Sequence, residues 1–304
     1  MMNKQKVAQT GNLPQFYRQR FLIAMIQVFH NKLSKTDLMK FLFLYNQIYR
    51  ESKKIYFFVP YQYGPFSFQA YADIRRLTEL GLITGDESLN SNTAELYLTL
   101  LEKSDQIYLQ EFYKIYKSYS GDNLIRFIYT NYPYYASKSE IRERIGTNLV
   151  KESSIESLNI DAIYSLGYEG ITVDEYLNAL VQKDIKTVID VRKNPISMKY
   201  GFSKKTLENA LVKLDIKYLH IPELGIESKD RQELSTLESY NTLFDSYEKD
   251  VLSQSDVYVQ KIVSEFKDQK RIVLTCFEKD HHYCHRSRIC NLIESRYGIP
   301  TKHL

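Results

Sequence analysis

Cys276, Glu278, Cys284 and His285 stand within the single stretch CFEKDHHYCH, and these side chains cover three chemistries. A thiol beside an imidazole is a nucleophile with its base. A carboxylate beside an imidazole is an acid/base pair. Thiols and imidazoles together are soft ligands for zinc or iron. All three cysteines of the chain lie between Arg271 and Asn291, with three of its six histidines. Cys284 and His285 are read as the nucleophile or acid/base pair. Cys290, between Ile289 and Ile293 on a helical pattern, is read as packing. His281, His282, Cys284 and His285 with Cys276 contain neither a CxxC pair nor an HExxH helix, so no metal ligand is assigned. His285-Arg286 follow Cys284 directly, unlike a phosphatase or rhodanese loop. Neither GxGxxG nor GxxxxGKS is present, so no cofactor is identified.

These residues need elements to position them. Residues 271–275 form a short apolar run, and 287–297 have helical periodicity. Upstream, apolar runs at 162–166, 186–191 and 217–221 alternate with helical patterns at 172–183, 203–215, 240–252 and 255–268. That alternation predicts a mostly parallel α/β sheet, whose ligands bind beyond the carboxyl ends of its strands. Four predicted strands end in chemistry-bearing residues: Ser165-Leu166-Gly167-Tyr168-Glu169, Asp190-Val191-Arg192 running to Pro195, His220-Ile221-Pro222-Glu223, and Cys276-Phe277-Glu278. Asp190 serves as base or ribose acceptor and Arg192 as phosphate holder, or the two form an ion pair that closes the sheet end. Glu278 and Glu223 are further carboxylates, and Arg286 an anion clamp. Gly167, Tyr168, Glu169, Arg192, Pro195, Glu223, Cys276 and Arg286 are expected to line a pocket for a small anionic or nucleotide-like ligand. His220 either enters that pocket or caps its strand.

The pieces SLGYEG, DVRKNP, GFSKKTLENAL, IKYLHIPELG and LTCFEKDHHYCHRS, in this order and spacing, resemble the bacterial family known as domain of unknown function 488. The resemblance covers residues 161–304. It implies a compact Rossmann-like α/β domain with a pocket built from those motifs, and no established reaction.

The first half has a different texture. Helical patterns at 14–30 and 34–50 precede a β-like run at 55–59 and a turn at Tyr63-Gly64-Pro65. A third helix starts at Ser67, with Asp73, Arg75, Arg76 and Glu79 expected to face outward. Two strands at 82–83 and 96–100, a helix at 107–119 and a helical extension over 124–144 follow. The stretches FVPYQYGPFSFQAYADIRRLTELGLI and LIRFIYTNYPYYASKSEI resemble winged-helix domains of bacterial regulators and antitoxin-like proteins. On that resemblance Gln69, Arg75, Arg76 and the wing turn at 90–92 would meet nucleic acid, or the same surface would contact protein. Residues 146–159 read as a linker. The expected organisation is therefore a winged-helix-like domain over 1–150 and a Rossmann-like α/β domain over 160–304.

Composition narrows the class. The chain has 304 residues, 43% hydrophobic and 26% charged, as in ordinary globular proteins. Residues 1–150 carry 19 Lys/Arg against 13 Asp/Glu, a net +6, and the remainder is −2. The basic half is the one suited to a polyanion. No early apolar run is long enough to span a bilayer, and an odd cysteine count makes no disulfide framework. A reduced, cytoplasmic location is expected, with no membrane partner; a homo-oligomer stays open. The expected function is an enzyme acting on a nucleic acid, nucleoside or nucleotide in DNA maintenance or defence. The alternative is a DNA-binding regulator whose α/β domain senses an anion, metal or oxidant.

Overall fold

The computed structural model describes residues 13–146, 160–227, 230, 234 and 236–304. Of the linker reading at 146–159, all but Gly146 lies outside them. The chain divides into two compact units, one of residues 1–58 and 62–147, the other of residues 59–61 and 148–304.

In the first unit α1 (Tyr17–Val28) has the six consecutive apolar residues Phe21 to Ile26 fully buried. Ser34 caps α2 (Lys35–Tyr49) by accepting from the Asp37 amide at 2.9 Å. β2 (Gly64–Phe66) follows the turn at Gln62 and Tyr63, and the short strand before that turn, β1 (Val59–Tyr61), is counted with the other unit. The strand expected at 55–59 therefore begins only where that run ends. Ser67 caps α3 (Phe68–Glu79), and Gly81 takes the left-handed φ of +71° just beyond it. β3 (Ile83–Thr84) pairs antiparallel with β4 (Asn90–Ser91). Residues 97–100, expected as a strand, form a 3-10 turn instead. α4 (Lys103–Tyr116), α5 (Gly121–Asn131) and α6 (Arg142–Ile145) complete the unit. Phe29, Phe41, Tyr45 and Phe112 pack ring against ring at its centre.

Asp73 departs from its expected outward direction. It is buried and accepts from Arg18 Nε at 2.7 Å, Gln19 Nε2 at 2.8 Å and the Tyr56 hydroxyl at 3.0 Å. Helical spacing alone assigns a charged residue to solvent; three donors from distant segments make this burial tolerable. Asp105 repeats the device, accepting from Tyr17, Tyr45 and Arg50.

The second unit is an α/β domain with a five-stranded, all-parallel sheet. Its elements are β5 (Ala162–Gly167), α7 (Val173–Gln182), β6 (Thr187–Asp190), α8 (Lys204–Val212), β7 (Lys217–His220), α9 (Leu237–Asp250), α10 (Asp256–Gln269), β8 (Arg271–Cys276), α11 (Arg286–Tyr297) and β9 (Thr301–His303). The strand order is β7-β6-β8-β5-β9. The inner strands β5, β6 and β8 are buried nearly throughout, as apolar runs covered on both faces should be. The edge strand β9 was not expected, because Thr-Lys-His carries no apolar signal. Among the described residues, no helix is long and apolar enough to cross a membrane.

This topology has a consequence for ligands. The chain leaves β6 through α8 toward β7 on one side, and leaves β8 through α11 toward β9 on the other. β6 and β8 are neighbours, so their carboxyl ends flank the switch point where an open parallel sheet forms a crevice.

Candidate active site

Register brings the strand ends level. Asp190 of β6 sits beside His220 of β7 and Thr275 of β8, and Cys276 sits beside Gly167 of β5. The loop after β8 folds back over β5. A Cβ on Gly167 would lie 1.7 Å from the Glu278 carbonyl oxygen, so only glycine permits this approach. The Glu169 amide donates to the Phe277 carbonyl at 2.8 Å, and the Glu169 carboxylate accepts from the Lys279 amide at 3.0 Å. Gly167 and Glu169, read as pocket residues, thus hold the loop that carries Glu278. Gly225 plays the same part opposite, where a Cβ would meet the Lys193 amide nitrogen at 2.2 Å.

Asp190 and Arg192 form the buried pair that the sequence left as one of two readings. Arg192 Nε reaches Asp190 Oδ1 at 2.8 Å, and Nη2 reaches Oδ2 at 2.5 Å. The Arg192 amide and the Tyr218 hydroxyl also donate to the same carboxylate, at 3.1 and 2.7 Å. Arg192 Nη1 donates to the Tyr168 hydroxyl at 2.6 Å, and the Tyr168 ring stacks on Phe202. Asp190 is fully buried and Arg192 nearly so. This geometry turns the two charges onto each other at the β6 end.

Arg286 departs from its expected role for a similar reason. Its side chain is 1% exposed and donates to Ser165 Oγ at 3.1 Å and to the carbonyls of Glu278 at 2.5 Å and Lys279 at 2.9 Å. The guanidinium ties down the loop from beneath. Among the described residues, no carboxylate stands within ion-pair distance of it.

Cys276, Cys284 and His285 come together where β8 and α11 meet, and all three are buried. His285 Nε2 lies 3.1 Å from the Val191 carbonyl oxygen, across the switch point. A carbonyl only accepts, so Nε2 carries the proton and Nδ1 is the acceptor. Nδ1 lies 4.0 Å from Cys276 Sγ and 3.9 Å from Cys284 Sγ. Cys276 Sγ is 3.1 Å from the Glu278 carboxylate. Burial, then the Cys276 thiol and the Glu278 charge, push the Cys284 thiol well above its ordinary range, while Arg286 pulls the other way. Burial likewise pushes Cys290 up to about 12, in the core face of α11, as its packing reading expects.

Glu278 and His285 form the floor of a cleft of about 80 Å³ walled by Ile226, Tyr240, Phe244 and Tyr283. The aromatic wall carried no recognisable motif, since Tyr240 and Phe244 read as ordinary helix residues. Glu223 is exposed on a 3-10 turn. The Pro195 carbonyl accepts from the amide of Lys204, the first residue of α8, at 2.9 Å. His220 donates to the Arg192 carbonyl at 2.9 Å, so it caps its strand end. His281 stacks on His303, whose Nδ1 lies 2.7 Å from Ser165 Oγ; burial first, then the cations around it, push His303 down to about 4. His281 and His282 stand apart from the thiols, grouped with Asp280 near the surface.

The family model described as "Domain of unknown function DUF488" matches residues 172–293, from the N-cap of α7 into α11. The match supports the resemblance of the C-terminal half and takes in every residue of the thiol–imidazole cluster. No curated protein and no solved structure matches the chain.

Proposed function

We propose that the second unit is an enzyme acting on a nucleic-acid base, nucleoside or nucleotide, with Cys276, Cys284, His285 and Glu278 as its reaction centre. One observation carries this reading. Glu278 and His285 line an aromatic-walled cleft beside the sheet's switch point, and the buried thiols of Cys276 and Cys284 stand directly behind them. Stacking on Tyr240, Phe244 or Tyr283 suits a planar ring, and the ring's edge would reach Glu278 and His285. A raised Cys284 thiol is poorly suited to act as a free thiolate nucleophile, so acid/base work by Glu278 is the better fit. Asp190 and Arg192 act as positioning residues.

In the same reading the first unit is a winged helix that brings the enzyme to nucleic acid. Three helices, the β3–β4 hairpin and the bridge between Leu33 and Leu89 support it. Arg75 and Arg76 are exposed on α3, although Glu79 lies near both and offsets part of their charge. Incubating the full chain with DNA, RNA and mixed nucleosides, followed by product mass analysis, tests the activity. The wild type should change a substrate mass and Glu278→Gln should not. Equal product from both would remove Glu278 from the centre, and no product from either would favour the DNA-binding regulator.

A further inference from the structure

The donor atoms of Cys276, Cys284 and His285 all lie within 4.8 Å of one another. In a tetrahedral site with metal–sulfur bonds of about 2.3 Å and metal–nitrogen bonds of about 2.0–2.1 Å, a sulfur–nitrogen edge measures roughly 3.6 Å. The two such edges here measure 4.0 and 3.9 Å. A few tenths of an ångström of contraction brings these two edges to that length, and the third edge, between the two sulfurs, lies within 4.8 Å.

We propose that Cys276 Sγ, Cys284 Sγ and His285 Nδ1 bind a thiophilic divalent ion of the zinc class, with its fourth position open to the cleft beside Glu278. This rests on the reading above only for its catalytic consequence, and binding is a separate question.

Three observations beyond proximity support the site. The first is orientation: a metal-binding histidine usually donates its other ring N–H to a carbonyl or carboxylate, and His285 Nε2 does so to Val191. The second is charge. Binding breaks two S–H bonds, forms two metal–sulfur bonds and sends two protons to solvent. Two thiolates then offset the charge of the dication. Arg286, buried with two carbonyls and a hydroxyl, favours the thiolate form of Cys284 beside it. The third is the donor set itself. Two thiols and an imidazole favour zinc over magnesium or calcium, and three protein ligands leave room for the water that a catalytic zinc activates. Glu278, on the cleft floor, would accept that water's proton.

Metal content of the reduced full chain, purified without chelator, and its cobalt(II) spectrum test the proposal. One zinc per chain is expected, replaceable by cobalt with tetrahedral ligand-field bands and a thiolate-to-cobalt charge-transfer band. Cys276→Ala, Cys284→Ala and His285→Ala should each lose the metal, whereas Cys290→Ala and Glu278→Gln should keep it. The wild-type spectrum needs no variant to fold. A reduced wild type that neither carries zinc nor shows the thiolate band on cobalt addition overturns the proposal, as does metal retained after both thiols of the trio are removed. Metal bound through two thiolates in a chain without turnover would leave this site standing and overturn the enzymatic reading.

Discussion

His285 and Val191 belong to opposite sides of the switch point, and the 3.1 Å contact between the His285 Nε2 and the Val191 carbonyl oxygen joins them. One backbone carbonyl at the end of β6 thereby sets the direction in which an imidazole beyond β8 offers its lone pair. That lone pair points at two thiols. The arrangement couples the sheet's topology to the chemistry of the cluster.

Thiol reactivity follows from burial. Cys284 is raised first by desolvation, so at neutral pH its thiolate fraction is below that of an exposed cysteine. The metal-free, reduced chain should alkylate at Cys284 at least tenfold more slowly than an unhindered thiol at pH 7, and mass-mapped alkylation kinetics measure this. Unfolding in urea should abolish the difference. Fast labelling of Cys284 in the folded chain would refute it.

The buried Asp190–Arg192 pair makes a stability prediction. Asp190→Ala leaves the Arg192 guanidinium without its counter-ion, and removal of one partner of a buried pair costs about 3–5 kcal/mol. Tyr218→Phe removes one hydrogen bond to the carboxylate and should cost about 1.5–3 kcal/mol at most. Urea denaturation monitored by circular dichroism gives both values. An Asp190→Ala variant as stable as wild type would show that the pair holds nothing.

A basic pH dependence is built into the first unit. Burial lowers Lys40 to about 7, and its ammonium donates to the Pro65 carbonyl at 2.9 Å. Between that value and the unfolded 10.5, the unfolded chain binds the proton and the folded chain does not. Stability attributable to Lys40 therefore rises with pH across this window and is lost as pH falls back toward 7. Lys40→Met should flatten that rise in urea titrations at pH 7, 8 and 9. An identical slope in wild type and variant would contradict the assignment.

Nucleic-acid contact through α3 predicts a salt signature. If Arg75 and Arg76 each neutralise a phosphate, Arg75→Ala and Arg76→Ala should each weaken duplex binding across sequences. Each should also reduce the slope of log affinity against log salt by about 1. Fluorescence anisotropy over a salt series measures it, and unchanged slopes would move the interface elsewhere.

The strands β5 to β8 were legible because parallel strands buried on both faces leave plain apolar runs. β9 was not, since three residues on a sheet edge need no apolar signal. The identity of the cluster was legible in CFEKDHHYCH, but its wiring was not. The sequence places Asp190, Arg192 and Arg286 near a pocket, and only register and loop closure show their charges turned inward onto each other or onto carbonyls. Asp73 escaped for the same reason: its partners Arg18 and Tyr56 are remote in the chain. Gly167 lies between, because a glycine at a strand end signals a close approach without naming the Glu278 loop as its neighbour.

The central claim is that His285 presents Nδ1 as an acceptor to Cys276 and Cys284. Long-range proton–nitrogen correlation of the imidazole in the reduced, metal-free full chain measures this directly. The structure predicts a His285 ring protonated at Nε2, with the Nδ1 resonance shifting when zinc is added. A ring protonated at Nδ1 and bare at Nε2 would contradict it, because the Val191 contact could not then be a hydrogen bond and the lone pair would face away from the thiols.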